Sequence, residues 1–139
     1  MSNATPTPST PSGPTPGASR KHILAIDDER PILELLEEYL TTHGYRVSTA
    51  STALAAKRLV ETETPHLIIS DLQLEDTDGL HLIQQLRVLL PATPVILLTG
   101  VLFDAHVVEH NLQLKISSYV SKTAPLQSLL KEIRRLIGS

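Results

Sequence analysis

From residue 20 onward, short apolar runs alternate with apolar positions at helical spacing. Ile23-Leu24-Ala25-Ile26 closes a run over 22–26 that reads as a buried strand. Ile32, Leu35, Leu36, Tyr39 and Leu40 follow at helical spacing, with Glu34, Glu37 and Glu38 on the opposite face. Pro31 suits the first turn of that helix, and His43-Gly44 suits its end, with Gly44 at C′. Residues 45–50 predict a second strand and 53–60 a helix of small residues, with Pro65 as a stop. Residues 66–70 predict a third strand, and Leu80, Ile83, Leu86 and Leu90 stripe a third helix. Pro94 introduces a fourth strand over 95–98, a weaker helix spans about 104–111, and residues 117–120 form a fifth strand. Leu126, Leu129, Leu130, Ile133 and Ile137 line a last helix, with Lys131, Arg134 and Arg135 toward its C-terminus.

Five strands alternate with five helices. Continuously apolar strands are expected where both sheet faces are covered. Alternation with right-handed crossovers predicts an α/β fold with a doubly wound, five-stranded parallel sheet. Ligands of such sheets bind beyond the carboxyl ends of the strands. In this chain those ends carry Asp27-Asp28, Asp71, Thr99 and Lys122. Taken singly, each aspartate or threonine suits a helix cap. Together they gather three carboxylates, a hydroxyl and an ammonium at one edge. Crowded carboxylates repel unless a cation compensates. A hard divalent ion does so, and Mg²⁺ is bound by one or two carboxylates plus phosphate and water. A carboxylate can also attack phosphorus and form an aspartyl phosphate, with Lys122 and a metal neutralising the transferring group.

Composition narrows the picture further. Residues 1–19 hold no charged side chain and five of the ten prolines, which predicts a disordered Pro/Ser/Thr-rich tail ahead of one domain over 20–139. The net charge of −3 does not suggest nucleic-acid binding. The absence of Cys excludes disulfides, thiolate metal sites and a Cys nucleophile. No apolar stretch reaches the roughly 20 residues of a membrane span, and the N-terminus lacks a signal-peptide pattern, so a cytoplasmic location is expected.

Five motifs in register carry a resemblance: Ala25-Ile26-Asp27-Asp28-Glu29, Ser70-Asp71-Leu72, Asp78-Gly79, Leu97-Leu98-Thr99-Gly100 and Tyr119-Val120-Ser121-Lys122. Across residues 21–138 the chain resembles the CheY-like receiver domain of two-component response regulators. The resemblance implies flavodoxin-like (βα)5 topology with strand order 2-1-3-4-5. It implies a phosphorylation-dependent switch, rather than an enzyme, that takes a phosphoryl group from a histidine kinase or histidine phosphotransfer protein. Asp71 would be the phosphoacceptor. Asp28, Asp71 and the Gln73 backbone carbonyl would ligate Mg²⁺, with Asp27 acting through a bound water. Thr99 and Lys122 would contact the phosphoryl group, and Tyr119 would follow Thr99 as the second switch residue. The first helix would meet the kinase. The face made by the fourth predicted helix, the fifth strand and the last helix would serve output or homodimerisation.

Three departures from the family pattern stand out. Glu75 occupies a frequent Pro position, Thr123 replaces the Pro after the lysine, and residues 112–116 replace a small-residue turn. The Lys122–Thr123 bond is thereby left open between trans and cis, the cis form costing about 2.5–4 kcal/mol. Val101, two residues after Thr99, cannot orient water, which implies slow self-dephosphorylation. The alternative function is an interaction module of the same fold that is not phosphorylated. A third reading, a zinc hydrolase, rests on His106-Val107-Val108-Glu109-His110, an H-x-x-E-H pattern without a suitable third ligand downstream.

Overall fold

A computed structural model describes residues 20–71, 74, 76, 78–99 and 116–138, with the Thr99 side chain left out. Strands β1 (His22–Ile26), β2 (Arg46–Ala50), β3 (Leu67–Asp71), β4 (Val95–Thr99) and β5 (Ser118–Ser121) alternate with helices α1 (Arg30–Thr42), α2 (Ala53–Thr62) and α3 (Gly79–Leu89). The C-terminal helix, α4 (Leu126–Ile137), follows β5. The expected helix over 104–111 lies outside the described residues, as do the tail, Gln73, Glu75, Val101 and the H-x-x-E-H segment.

All strand pairs are parallel, and the order is β2-β1-β3-β4-β5, as expected. The sheet separates two apolar layers. Ile23, Ala25, Leu67 and Ile69 face α1 and the C-terminal helix, while Leu24, Ile26, Ile68 and Leu97 face α2 and α3. Of the central strands, β1 and β3 are buried along their whole length and β4 is buried from Val95 to Leu98. The edge strands Arg46-Val47-Ser48-Thr49-Ala50 and Ser118-Tyr119-Val120-Ser121 are more polar and only partly buried, so the two-faced burial expected of every strand holds for the centre.

Helix α1 is rotated from the expected stripe. It buries Leu33, Leu36 and Leu40, whereas Leu35 is 46% exposed. Both sets satisfy helical spacing, and contact with β1 and β2 selects between them. Its end is a Schellman motif: Tyr45 N–H donates to Leu40 O and Gly44 N–H to Thr41 O, both at 3.1 Å. Gly44 carries the positive φ of 96° that this turn needs. Tyr45 is fully buried behind it and donates its hydroxyl to Gly138 O at 2.6 Å, tying the start of β2 to the end of the last helix.

Helix α3 buries Leu82, Ile83 and Leu86, with Leu80 and Leu90 at the margin. Asp78 caps it, accepting from His81 N–H at 2.7 Å. Asp76, in the same loop, accepts from Ala53 N–H at 2.9 Å and Leu54 N–H at 3.3 Å. The segment after β3 is thus fastened to the start of α2, and these amide bonds hold the Asp76 carboxyl below its usual pKa. Among the described residues every peptide bond is trans, including Lys122–Thr123.

Candidate functional site

Three strand ends build the site. β1 runs directly into Asp27, which is 1% exposed, and Asp27 N–H continues the ladder by donating to Ala50 O at 3.1 Å. Asp27 Oδ1 turns back to accept from Glu29 N–H at 2.9 Å, which fixes the carboxylate beneath the start of α1. Asp71 closes β3 and is 7% exposed. Asp28 and Glu29 lie on the solvent side. Ligand oxygens of Asp27, Asp28, Glu29 and Asp71 all lie within 4.8 Å of one another.

Lys122 enters this cluster from the β5 end. Ser121 shapes the turn: Ala124 N–H donates to Ser121 O at 3.1 Å, and Thr123 N–H to Ser121 Oγ at 3.1 Å. Lys122 therefore points back across the strand tips. Its Nζ hydrogen-bonds Glu29 Oε2 at 2.7 Å and forms ion pairs with Asp27 Oδ2 at 3.0 Å and Asp71 Oδ2 at 3.2 Å. Asp27 Oδ2 is buried, and the ammonium meets it outside hydrogen-bonding geometry. Burial pushes the Asp27 carboxyl up to about 6, against the pull of the Glu29 amide and Lys122. For Lys122, burial disfavours the charge, but the contacts with Glu29, Asp27 and Asp71 outweigh it and raise the pKa above the ordinary lysine value.

Asp27, Asp28, Asp71 and Lys122 thus converge as the sequence suggests. Thr99 ends β4 in register with Ser121, which places its backbone at the same edge. Tyr119 sits in β5 opposite Leu97, half-buried against the α2–α3 layer. Gln73 lies outside the described residues. The sequence reading gave Glu29 no role, although it makes the shortest contact to Lys122. Its place in the Asp-Asp-Glu run was the available signal.

Beside this parallel sheet with acidic groups and a lysine at its carboxyl edge stands a sequence match to a family model, the response regulator receiver domain, over residues 23–134. The chain belongs to that family. Among solved structures it is similar to a CheY-like receiver domain protein from Methanospirillum hungatei, with TM-score 0.77, 30% identity, and coverage of 84% of this chain and 93% of that one. It is 42% identical over 80 residues to the Bacillus subtilis transcriptional regulatory protein PhoP, covering 58% of this chain and 33% of PhoP. It is 38% identical over 79 residues to the Escherichia coli transcriptional regulatory protein GlrR, covering 57% of this chain and 18% of GlrR. The chain spans less than half the length of such curated relatives. The receiver family places the chain in two-component signal transduction. Among the described residues no helix is long and apolar enough to cross a membrane.

Proposed function

We propose that this receiver is a phosphorylation switch in which Asp71 accepts a phosphoryl group from a histidine kinase or a histidine phosphotransfer protein. The observation that carries this reading is the placement of Asp71 at the β3 tip, beside three further carboxylates and in contact with Lys122. An Asp71 oxygen attacks phosphorus, the bond to the donor imidazole nitrogen breaks, and its electron pair stays on the imidazole. The product is an acyl phosphate. Lys122 Nζ, already at Asp71, neutralises an oxygen of the transferred group.

The donor set suits Mg²⁺: all-oxygen ligands, a net negative cluster, and a buried Asp27 oxygen without a hydrogen bond. Asp28 and Asp71 would ligate it, with the Gln73 carbonyl completing the protein ligands and Asp27 acting through water. When bound, Mg²⁺ neutralises charge on the phosphoryl oxygens. Thr99 and Tyr119 would register the product, as in the family at large.

A donor protein has a surface beside the site. Ile32, Leu35, Leu36 and Leu126 line a shallow apolar groove that reaches Lys122, and Leu35 stands exposed at its margin. On the other flank, Ser118 donates to Glu132 at 2.8 Å and Arg135 pairs with Glu132, a polar network on the face proposed for output or homodimerisation.

The test is Mg²⁺-dependent binding of beryllofluoride, a phosphoryl mimic, followed by ¹⁹F NMR. Protein-bound fluoride signals that need Mg²⁺ and vanish in Asp71→Asn are expected. A chain that binds Mg²⁺ yet never the mimic would instead be an interaction module that works without phosphorylation.

A further inference from the structure

The ammonium of Lys122 has three N–H donors, and three carboxylates surround it. Two of them, Asp27 and Asp71, are buried and belong to the metal and phosphoryl chemistry proposed above. The third, Glu29, holds the shortest contact at 2.7 Å, from an exposed side chain. Among the described residues the Glu29 carboxylate makes no hydrogen bond or ion pair besides this one. It stands at the N-cap of α1, yet its side chain makes no cap hydrogen bond, and Pro31 reduces the number of amides there that need one. Its backbone N–H is held by Asp27, which leaves the side chain directed at Lys122.

From this geometry we infer that Glu29 is a positioning residue that competes with the incoming phosphoryl group for Lys122 and so slows phosphorylation of Asp71. The inference rests on the phosphoacceptor reading and adds a residue to it. Two effects run in the same direction. A phosphoryl oxygen can bond Lys122 only by displacing a carboxylate, and Glu29, which holds the shortest contact from the solvent side, is the one outside the proposed ligand set. Its negative charge also stands at the mouth of the site, where an anionic donor must approach. Both effects disappear when the carboxylate becomes an amide of the same shape. Because Glu29 is exposed and caps nothing, Glu29→Gln leaves the fold in place.

The experiment measures labelling by acetyl phosphate at saturating Mg²⁺, alongside Mg²⁺ affinity by calorimetry, for the unaltered chain and E29Q. Asp71 attacks the donor phosphorus, acetate leaves with the electron pair of the broken P–O bond, and the acyl phosphate is counted by intact mass. Labelling of E29Q is expected to be about threefold faster, the size of one exposed charge pair. The advantage should shrink at 1 M salt, where the Debye length is about 3 Å. Mg²⁺ affinity should change less than the labelling rate does. Normal labelling of the unaltered chain with no gain in E29Q overturns this inference alone. A loss of Mg²⁺ affinity by about tenfold or more also overturns it, because Glu29 is then a ligand. No labelling of the unaltered chain overturns the phosphoacceptor reading, and this inference with it.

Discussion

The two ends of the sheet both hold buried ionisable groups, but they balance them differently. At the N-terminal edge the charges pair off, although among the described residues His22 Nδ1 and Arg46 Nε are buried without a hydrogen bond. Arg46 makes a two-pronged contact with Glu63, His22 Nε2 shares a proton with Ser48 Oγ at 2.7 Å, and His22 N–H donates to His66 Nδ1 at 2.9 Å. One guanidinium meets one carboxylate. At the C-terminal edge, among the described residues, four carboxylates, Asp27, Asp28, Glu29 and Asp71, gather around the ammonium of Lys122. A closed ion pair has nothing left to offer a ligand. An open cluster with excess negative charge stores repulsion that a divalent cation relieves. The sheet therefore carries paired charges at one end and excess negative charge at the other.

The sharpest way to break this comparison is to remove the Lys122 ammonium. Lys122→Ala leaves Asp27 and Asp71 facing each other, both nearly buried. Breaking a buried pair costs about 3–5 kcal/mol. Lys122 retains some solvent contact, so a loss of about 2 kcal/mol in urea-unfolding stability is expected without metal. Millimolar Mg²⁺ should restore much of it by binding the folded state alone. A variant equally unstable with and without Mg²⁺ would show that the C-terminal edge is not governed by charge excess.

Asp28→Asn comes next. Asp28 is exposed, so the fold should keep its stability, while Mg²⁺ affinity drops about tenfold, or about 1.4 kcal/mol. Calorimetry reads the affinity and thermal unfolding reads the stability. An unchanged affinity would remove Asp28 from the proposed ligand set.

How far the sequence reveals this asymmetry depends on the range of the contacts. The parallel sheet and the convergence of Asp27, Asp71 and Lys122 follow from alternating elements and the polar residue after each apolar run, which are local signals, whereas the strand order came only with the family resemblance. The rotation of α1 does not. Leu33 and Leu35 are equally apolar, and only the packing of the helix on the sheet decides that Leu33 is buried. The Asp76 link to α2 crosses from one loop to another with no local signature. The N-terminal edge was invisible for the same reason: His22, Arg46, Glu63 and His66 come from three strand starts and a loop, with no motif spacing. Edge strands departed from the expected burial because β2 and β5 each have a neighbour on one side only.

Glu63→Gln sharpens the comparison from the closed end. Arg46 and Glu63 are each partly exposed, so solvent screens the pair, and the expected loss is about 0.5–1 kcal/mol. The Arg46 contact also holds the Glu63 carboxyl below its usual pKa. Mg²⁺ affinity and acyl-phosphate formation should not move, since the change lies at the opposite end of the sheet. A change in either would mean that the two ends are coupled.

The smallest effect is expected from proton uptake at His22. Burial lowers the pKa of this histidine below its ordinary 6.5, with Arg46 and His66 adding to the shift and Glu63 opposing it. The folded chain therefore binds this proton less readily than the unfolded chain does. Below pH 6.5 the unfolded state takes up more protons, so stability rises with pH through that region and is lost as pH falls through the folded pKa. His22→Leu keeps the site filled and removes the titration. Its thermal midpoint should fall less between pH 7.5 and about pH 5 than that of the unaltered chain. Equal pH slopes would mean that His22 takes up its proton equally in the folded and unfolded states. The pH sensitivity of the fold would then belong to the open, carboxylate-rich edge.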